Sequence, residues 1–276
     1  ANAELVYETG LYMHEVEIGG LRIAFERKGE GLPLVLLHGA LSDSRAWRRQ
    51  LDELSDEFTV VAWDAPGCGR SADPPETFRL PDFADCLAAF IEKIGIVKPH
   101  ILGLSFGSGL ALELYRRHPS IPRSLILASA YAGWRGSLPP DVLEERLQQG
   151  LQQSELPPEQ VVEMWMPTLF TRSVPSEVIN ESAAIISEFH PAGMRTMLFA
   201  FAEADLREVL PTIEVPTLLL YGEADQRSPL EIARNMHAKI PKSKLVIIPG
   251  VGHESNLEAP EIFNTEVRSF LRENQQ

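Results

Sequence analysis

The sequence predicts an α/β fold: a doubly wound, mostly parallel sheet that opens with an antiparallel hairpin and carries a helical insertion late in the chain. Three observations point there. Short continuous apolar runs alternate with amphipathic helical stretches, the pattern of strands buried on both faces. The runs end in loops rich in Gly, Ser, Asp and His. The alternation stops between Tyr131 and Arg207 and then resumes.

The elements follow in order. Tyr12–Ile18 and Leu21–Arg27 alternate with period two around Gly19-Gly20, a hairpin signal. Leu34–Leu37 is the first continuous apolar run, and Ser42–Leu54 reads as a helix with Trp47, Leu51 and Leu54 on one face. Val60–Trp63 is the second buried strand, followed by a helix over Asp82–Ile94 with Asp82 as its N-cap. Ile101–Leu104 and Ser124–Ala128 are the third and fourth buried strands, with a helix after Ser105 that ends on Arg116-Arg117. Residues 131–207 contain no good strand, and helices are expected to start at Pro139-Pro140, Pro157-Pro158 and Pro175-Ser176. Strand Thr217–Tyr221, helix Pro229–Lys239, strand Leu245–Ile248 and helix Pro260–Arg272 complete the sheet. Residues 1–130 and 208–276 are therefore expected to form the core, and 131–207 a helical cap.

Composition narrows the function. The 276 residues are 44% hydrophobic and 23% charged, ordinary for a globular domain. With 25 Lys and Arg against 39 Asp and Glu, the net charge is −14, which repels nucleic acid and anionic membrane surfaces. Arg48-Arg49 and Arg116-Arg117 read as solvated surface pairs. No run approaches the ~20 apolar residues of a membrane helix, and Ala1-Asn2-Ala3-Glu4 shows neither a basic nor an apolar leader segment. Cys68 and Cys86 give no disulfide framework and read as two free thiols. A soluble cytoplasmic protein with no nucleic-acid or membrane partner is expected.

Chemistry concentrates at the carboxyl ends of the apolar runs, where open α/β sheets bind ligands. Gly103-Leu104-Ser105-Phe106-Gly107 takes a strand into a helix through a turn that displays one serine. The flanking glycines let strand and helix approach closely. Asp225 follows the Thr217–Tyr221 strand, and His253 follows the Leu245–Ile248 strand behind Gly250-Val251-Gly252. Serine is a poor nucleophile at neutral pH and needs an imidazole to take its proton. His253 can supply it, and Asp225 can fix the imidazole tautomer and stabilise the imidazolium. The developing oxyanion needs preorganised donors; the backbone N–H groups of Phe106 and Ala40 are the candidates, with Leu41 as a substitute for Ala40.

Rival readings are weighed on the same residues. Glu223 is the alternative acid, and Asp64 competes, although its Asp-x-Pro-Gly-x-Gly-x-Ser loop looks built for turn geometry. His38 is expected to have a structural hydrogen-bonding role and His118, before Pro119, to be a capping or surface residue. No His and Asp pairs sit at metal-ligand spacing, and Gly67-Cys68-Gly69 lacks the third glycine of a dinucleotide loop. No cofactor or metal is expected.

His38-Gly39, Asp64…Gly67-x-Gly69-x-Ser71, Gly103–Gly107, Gly222-x-x-Asp225 and Gly252-His253 together resemble the α/β-hydrolase superfamily from about Leu21 to Leu271. The resemblance implies a Ser105–Asp225–His253 triad under a helical cap and, with serine as nucleophile, sets the chain apart from the haloalkane dehalogenase and epoxide hydrolase branches. Ala204-Asp205-Leu206-Arg207…Val215-Pro216-Thr217 and Asn256–Pro260 are similar to 3-oxoadipate enol-lactonases and small carboxylesterases. Trp134, Trp165, Phe170 and Met197 are then expected to line the pocket, with Met164, Met166, Phe199 and Phe201 beside them. The expected activity is hydrolysis of a small carboxylic ester or lactone through an acyl-enzyme. An enol-lactone carries a carboxylate, which calls for a cation such as Arg135 or Arg172 nearby. The alternatives are C–C bond hydrolysis of the β-ketolase type and a ligand-binding receptor on a hydrolase scaffold.

Overall fold

The structure, a computed structural model, describes residues 4–6 and 12–276; Ala1-Asn2-Ala3 lies outside them. Among the described residues nine strands form one sheet: β1 (Glu4–Val6), β2 (Tyr12–Ile18), β3 (Leu21–Lys28), β4 (Pro33–Leu37), β5 (Thr59–Trp63), β6 (His100–Leu104), β7 (Ser124–Ala128), β8 (Thr217–Gly222) and β9 (Ser243–Ile248). Their spatial order is β1-β2-β3-β5-β4-β6-β7-β8-β9. β1, β2 and β3 pair antiparallel with one another in turn, and β3 pairs antiparallel with β5. From β5 to β9 every pairing is parallel. Gly19 and Gly20, both at positive φ, make the tight turn between β2 and β3.

Strand side chains alternate between faces, so a continuous apolar run feeds two cores. Leu34, Leu36, Val60, Ala62, Leu102 and Ile126 face helices α1 (Arg48–Leu54) and α10 (Pro260–Glu273). Val35, Leu37, Val61, Trp63, Ile101 and Leu125 face α2 (Leu80–Lys93), α3 (Phe106–Arg117) and α8 (Leu230–Lys239). Each of the larger strand residues is fully buried, which stabilises the fold by about 1.5–3 kcal/mol per side chain. Between β7 and β8 the chain forms α4 (Pro140–Gln153), α5 (Pro158–Leu169), α6 (Ser176–Ser187) and α7 (Pro191–Glu203). Proline stands at or just before the first residue of all four, where its missing N–H costs nothing. A short α9 (Ser255–Glu258) precedes α10.

Two helix starts differ from expectation. The helix read from Ser42 begins as a single 3-10 turn over Ser44–Trp47, because the Asp43 side chain accepts from Arg45 N and caps it there. α2 begins at Leu80, not Asp82. Asp82 is the third helical residue, and its carboxylate reaches back to Arg79 N at 2.8 Å, the reciprocal half of a capping box. Among the described residues no helix is long and apolar enough to cross a membrane. Both cysteines are buried and unpaired.

The glycines around Ser105 are set by contact with backbone. A Cβ on Gly103 would lie 2.1 Å from the Gly107 carbonyl oxygen, and one on Gly107 would lie 2.0 Å from that of Leu37. Neither neighbour can move without breaking a strand or the first turn of α3. Gly107→Ala is therefore expected to cost about 3 kcal/mol of stability, the upper end for overpacking a core. Urea denaturation checks this, and an unchanged midpoint would mean that the helix can lift from the sheet.

Candidate active site

The strand order reverses at β4: the chain leaves it for β5 on one side and returns to β6 on the other. Such a switch point leaves a crevice at the carboxyl ends of the strands. Leu37 and Gly103 are in register there, so the loop after β4 and the turn after β6 stand side by side. A Cβ on Gly39 would lie 3.5 Å from Ser105 Cβ.

Ser105 sits between β6 and α3 at φ 55°, ψ −113°, a left-handed conformation that costs a non-glycine residue about 1–3 kcal/mol. Its N–H is held by Ala128 O at 2.9 Å. The N–H groups of Phe106 and Ala40 have no hydrogen-bond partner among the described residues, and both residues line the same pocket as Ser105. His253 reaches that pocket from the loop after β9. Its Nδ1–H donates to both oxygens of Asp225, at 2.9 and 2.8 Å. Asp225 Oδ1 also accepts from Arg227 N at 2.8 Å and Ser228 N at 2.9 Å. Burial alone would raise the Asp225 carboxyl, but the charge and hydrogen bond of His253 and the two N–H donors outweigh it and hold it below the usual range.

Backbone contacts place the histidine. Gly222 ends β8 against the carbonyls of Val251 and Gly252, where a Cβ would come within 2.3 Å of both. His253 N and Glu254 N donate to Leu169 O, the end of α5, at 3.0 and 3.2 Å. Ser129, just after β7 at φ 48°, donates its Oγ to His253 O at 2.7 Å. Sequence reasoning missed Ser129, Tyr131, Arg227 and Glu254 as parts of this region. For Arg227 and Glu254 the available signal was their place in the loops that carry Asp225 and His253, and for Ser129 and Tyr131 their place just after the Ser124–Ala128 strand.

Rival residues lie elsewhere. Glu223 is exposed, and its carboxylate accepts from Gly250 N at 3.2 Å. Asp64 accepts from Ser44 N and Arg70 N, shaping the turn after β5. Burial and the nearby charge of Asp43 push its carboxyl up to about 7. His38 donates Nδ1–H to Gly39 O and accepts from Ala65 N at Nε2, which fixes a neutral ring joining the two loops. Burial lowers its pKa further. His118 ends α3 and bonds Asp85 at 2.8 Å.

The pocket is narrow, with a cavity volume of about 30 Å3. Trp134, Trp165, Met197 and Phe201 line it, together with Tyr131, Leu169 and Leu198. Phe201 packs edge-on against Phe106 and Tyr131 at 5.6 and 5.5 Å between ring centroids, tying α7 to the start of α3. Such pairs contribute about 0.5–1.5 kcal/mol beyond their buried area. Four expected wall residues are not there. Phe170 lies one residue past α5 and packs its backbone against Gly252, so Leu169 takes its place in the wall. Met164 is 50% exposed. Met166 packs into the helical layer, and Phe199 lies under the Arg79 guanidinium. Arg135 and Arg172 are exposed and away from the wall; the cation in it is Arg227.

The fold and the sequence have known counterparts. The structure superposes on a thermophilic esterase from Thermogutta terrifontis, solved with malate bound, with a TM-score of 0.87 and 30% identity across all of both chains. The sequence is 29% identical over 270 residues to the dihydrolipoyllysine-residue acetyltransferase component of the acetoin cleaving system of Pseudomonas putida, covering 94% of this chain and 69% of that one. It is 28% identical over 254 residues to a pimeloyl-[acyl-carrier protein] methyl ester esterase of Vibrio vulnificus, covering 89% of this chain and 96% of that one. Residues 34–266 match the alpha/beta hydrolase family, and the chain belongs to that family as an enzyme of carboxylesterase type.

Proposed function

We propose that the chain hydrolyses small carboxylic esters or lactones with Ser105 as nucleophile, His253 as general base and acid, and Asp225 as the group that orients the imidazole. With Nδ1–H given to Asp225, Nε2 is the nitrogen left to take the Ser105 proton. Ser105 Oγ then bonds the carbonyl carbon, and the oxyanion is received by Ala40 N–H and Phe106 N–H, each worth about 3 kcal/mol of barrier. The protonated His253 hands its proton to the leaving alkoxide, giving an acyl-enzyme. Water, deprotonated by the same Nε2, releases the acid and restores Ser105. No hydrogen bond joins Ser105 and His253 in the described structure; contacts of this kind tighten when substrate fills the site.

One observation carries the reading: a strained serine, an imidazole anchored to a carboxylate and two unpartnered N–H groups open onto one pocket. Residues 131–207 act as its cap, since α5 and α7 supply much of the wall. Two free buried thiols suit a cytoplasmic location.

A fluorophosphonate probe with peptide mapping tests the assignment. Labelling at Ser105 is expected, because Ser108 Oγ is committed to Ser105 O and Ser129 Oγ to His253 O. Labelling at either of those serines instead would overturn it. A panel of esters, lactones and β-diketones then fixes the bond: cleavage of β-diketones without ester turnover would replace this reading with C–C hydrolysis.

A further inference from the structure

Arg227 differs from most arginines of this chain. Arg45, Arg48, Arg49 and Arg117 each hold a carboxylate at 2.7–2.9 Å. Arg227 has no carboxylate within ion-pair distance among the described residues, although it lies two residues from Asp225. Its guanidinium carbon stands 4.3 Å from the centre of the Trp165 ring, and Nη1 donates to Thr168 Oγ1 at 3.3 Å. A guanidinium has five N–H donors. Stacking on the ring occupies its face and leaves the in-plane edge for a planar anion.

The side chain stands at a boundary. Arg227 lines the pocket of Ser105 and His253, and it also lines an adjoining recess of about 280 Å3. Trp134, Trp165 and Leu198 are walls of both. The recess adds a second cation, Arg146, and the amides of Gln149, Gln153 and Gln226. Among the described residues the Arg146 guanidinium donates only to neutral oxygens, Tyr131 Oη at 3.1 Å and Arg227 O at 3.2 Å. Two half-buried guanidinium groups therefore face this end of the pocket, neither in ion-pair contact with a carboxylate among the described residues, and their remaining N–H donors suit an anionic ligand. The acids nearby are Asp225, committed to His253, and Glu254, whose carboxyl burial raises. Beside them a monoanion meets less repulsion than a phosphate dianion.

We infer that Arg227, flanked by Arg146, binds a carboxylate carried by the substrate, so that the preferred substrates are half-esters or carboxylated lactones. The inference rests on reading Ser105 as the nucleophile of an ester hydrolase. It makes Arg227 a specificity-determining residue whose two ends act separately: the N–H supports Asp225 and the guanidinium holds the far end of the substrate.

The test compares 4-nitrophenyl hydrogen adipate with 4-nitrophenyl hexanoate, which differ in a terminal carboxylate on the same acyl length. The wild type is expected to favour the adipate ester in kcat/KM. Arg227→Gln is expected to lower the adipate-to-hexanoate ratio by about tenfold or more, chiefly through KM, as removal of a charged hydrogen-bonding partner does. Arg227→Lys keeps the charge and should retain part of the preference; equal loss in Lys and Gln variants would mean a packing role and overturn the inference. So would turnover of the hexanoate ester with no preference for adipate. Calorimetry on the Ser105→Ala background compares monomethyl adipate with methyl hexanoate, which differ in one carboxylate. Tighter binding of monomethyl adipate that Arg227→Gln abolishes supports the inference, and equal binding of the two overturns it. If neither ester is cleaved, the reading of Ser105 fails, and calorimetry still decides the role of Arg227.

Discussion

Ser105→Ala is expected to lower kcat/KM for short-chain 4-nitrophenyl esters by at least several hundred-fold, and His253→Ala by a similar factor. A loss near 10³ corresponds to about 4 kcal/mol of transition-state stabilisation. The serine change removes the atom that forms the acyl bond. The histidine change leaves a hydroxyl with no base to take its proton. The two residues act as one unit, so the double variant should be about as slow as either single one. What survives should come from the N–H groups of Ala40 and Phe106, which neither change touches. Alanine at 105 retains the φ 55° backbone, so the thermal midpoint should hardly move. A wild-type rate equal to that of the variants would end the enzyme reading of this pocket and favour a binding protein on the same scaffold.

The centre of the sheet was legible because β4 to β8 are buried on both faces. Leu34–Leu37, Val60–Trp63 and Ser124–Ala128 are continuous apolar runs, and each is a strand in the structure within one residue. The positions of Ser105, Asp225 and His253 were legible for a related reason: each follows such a run, and parallel strands bring their carboxyl ends to one edge. What stayed hidden depends on contacts that sequence spacing does not encode. Phe170 and Leu169 are adjacent, and helix phase decides which side chain enters the wall. Asp82 looked like a helix cap, yet its carboxylate caps from inside the helix by reaching back to Arg79 N. β1 is three residues long, too short for any period. Arg227 carries no motif; its meaning comes from Trp165, more than sixty positions earlier, lying beneath it.

Asp225→Asn is expected to lower kcat by about 10⁴-fold with the fold intact, the effect that follows from trapping the wrong imidazole tautomer. The carboxylate now accepts from His253 Nδ1, Arg227 N and Ser228 N. An asparagine oxygen can keep the two backbone donors, which hold the turn after β8. Its amide nitrogen must then face Nδ1, and two donors cannot share that contact. The imidazole responds by placing its proton on Nε2, the nitrogen that has to receive the Ser105 proton. The chemistry stops although nothing has moved. Glu223→Gln gives the control. Glu223 is exposed and its carboxylate accepts from Gly250 N, so kcat should stay within about threefold of wild type, as for surface changes away from special features. If Glu223→Gln were the damaging change and Asp225→Asn the mild one, the acid would be misassigned. Equal and small effects would mean that no carboxylate orients His253 during turnover, since only removal of the Asp225 charge separates tautomer control from simple support of the loop.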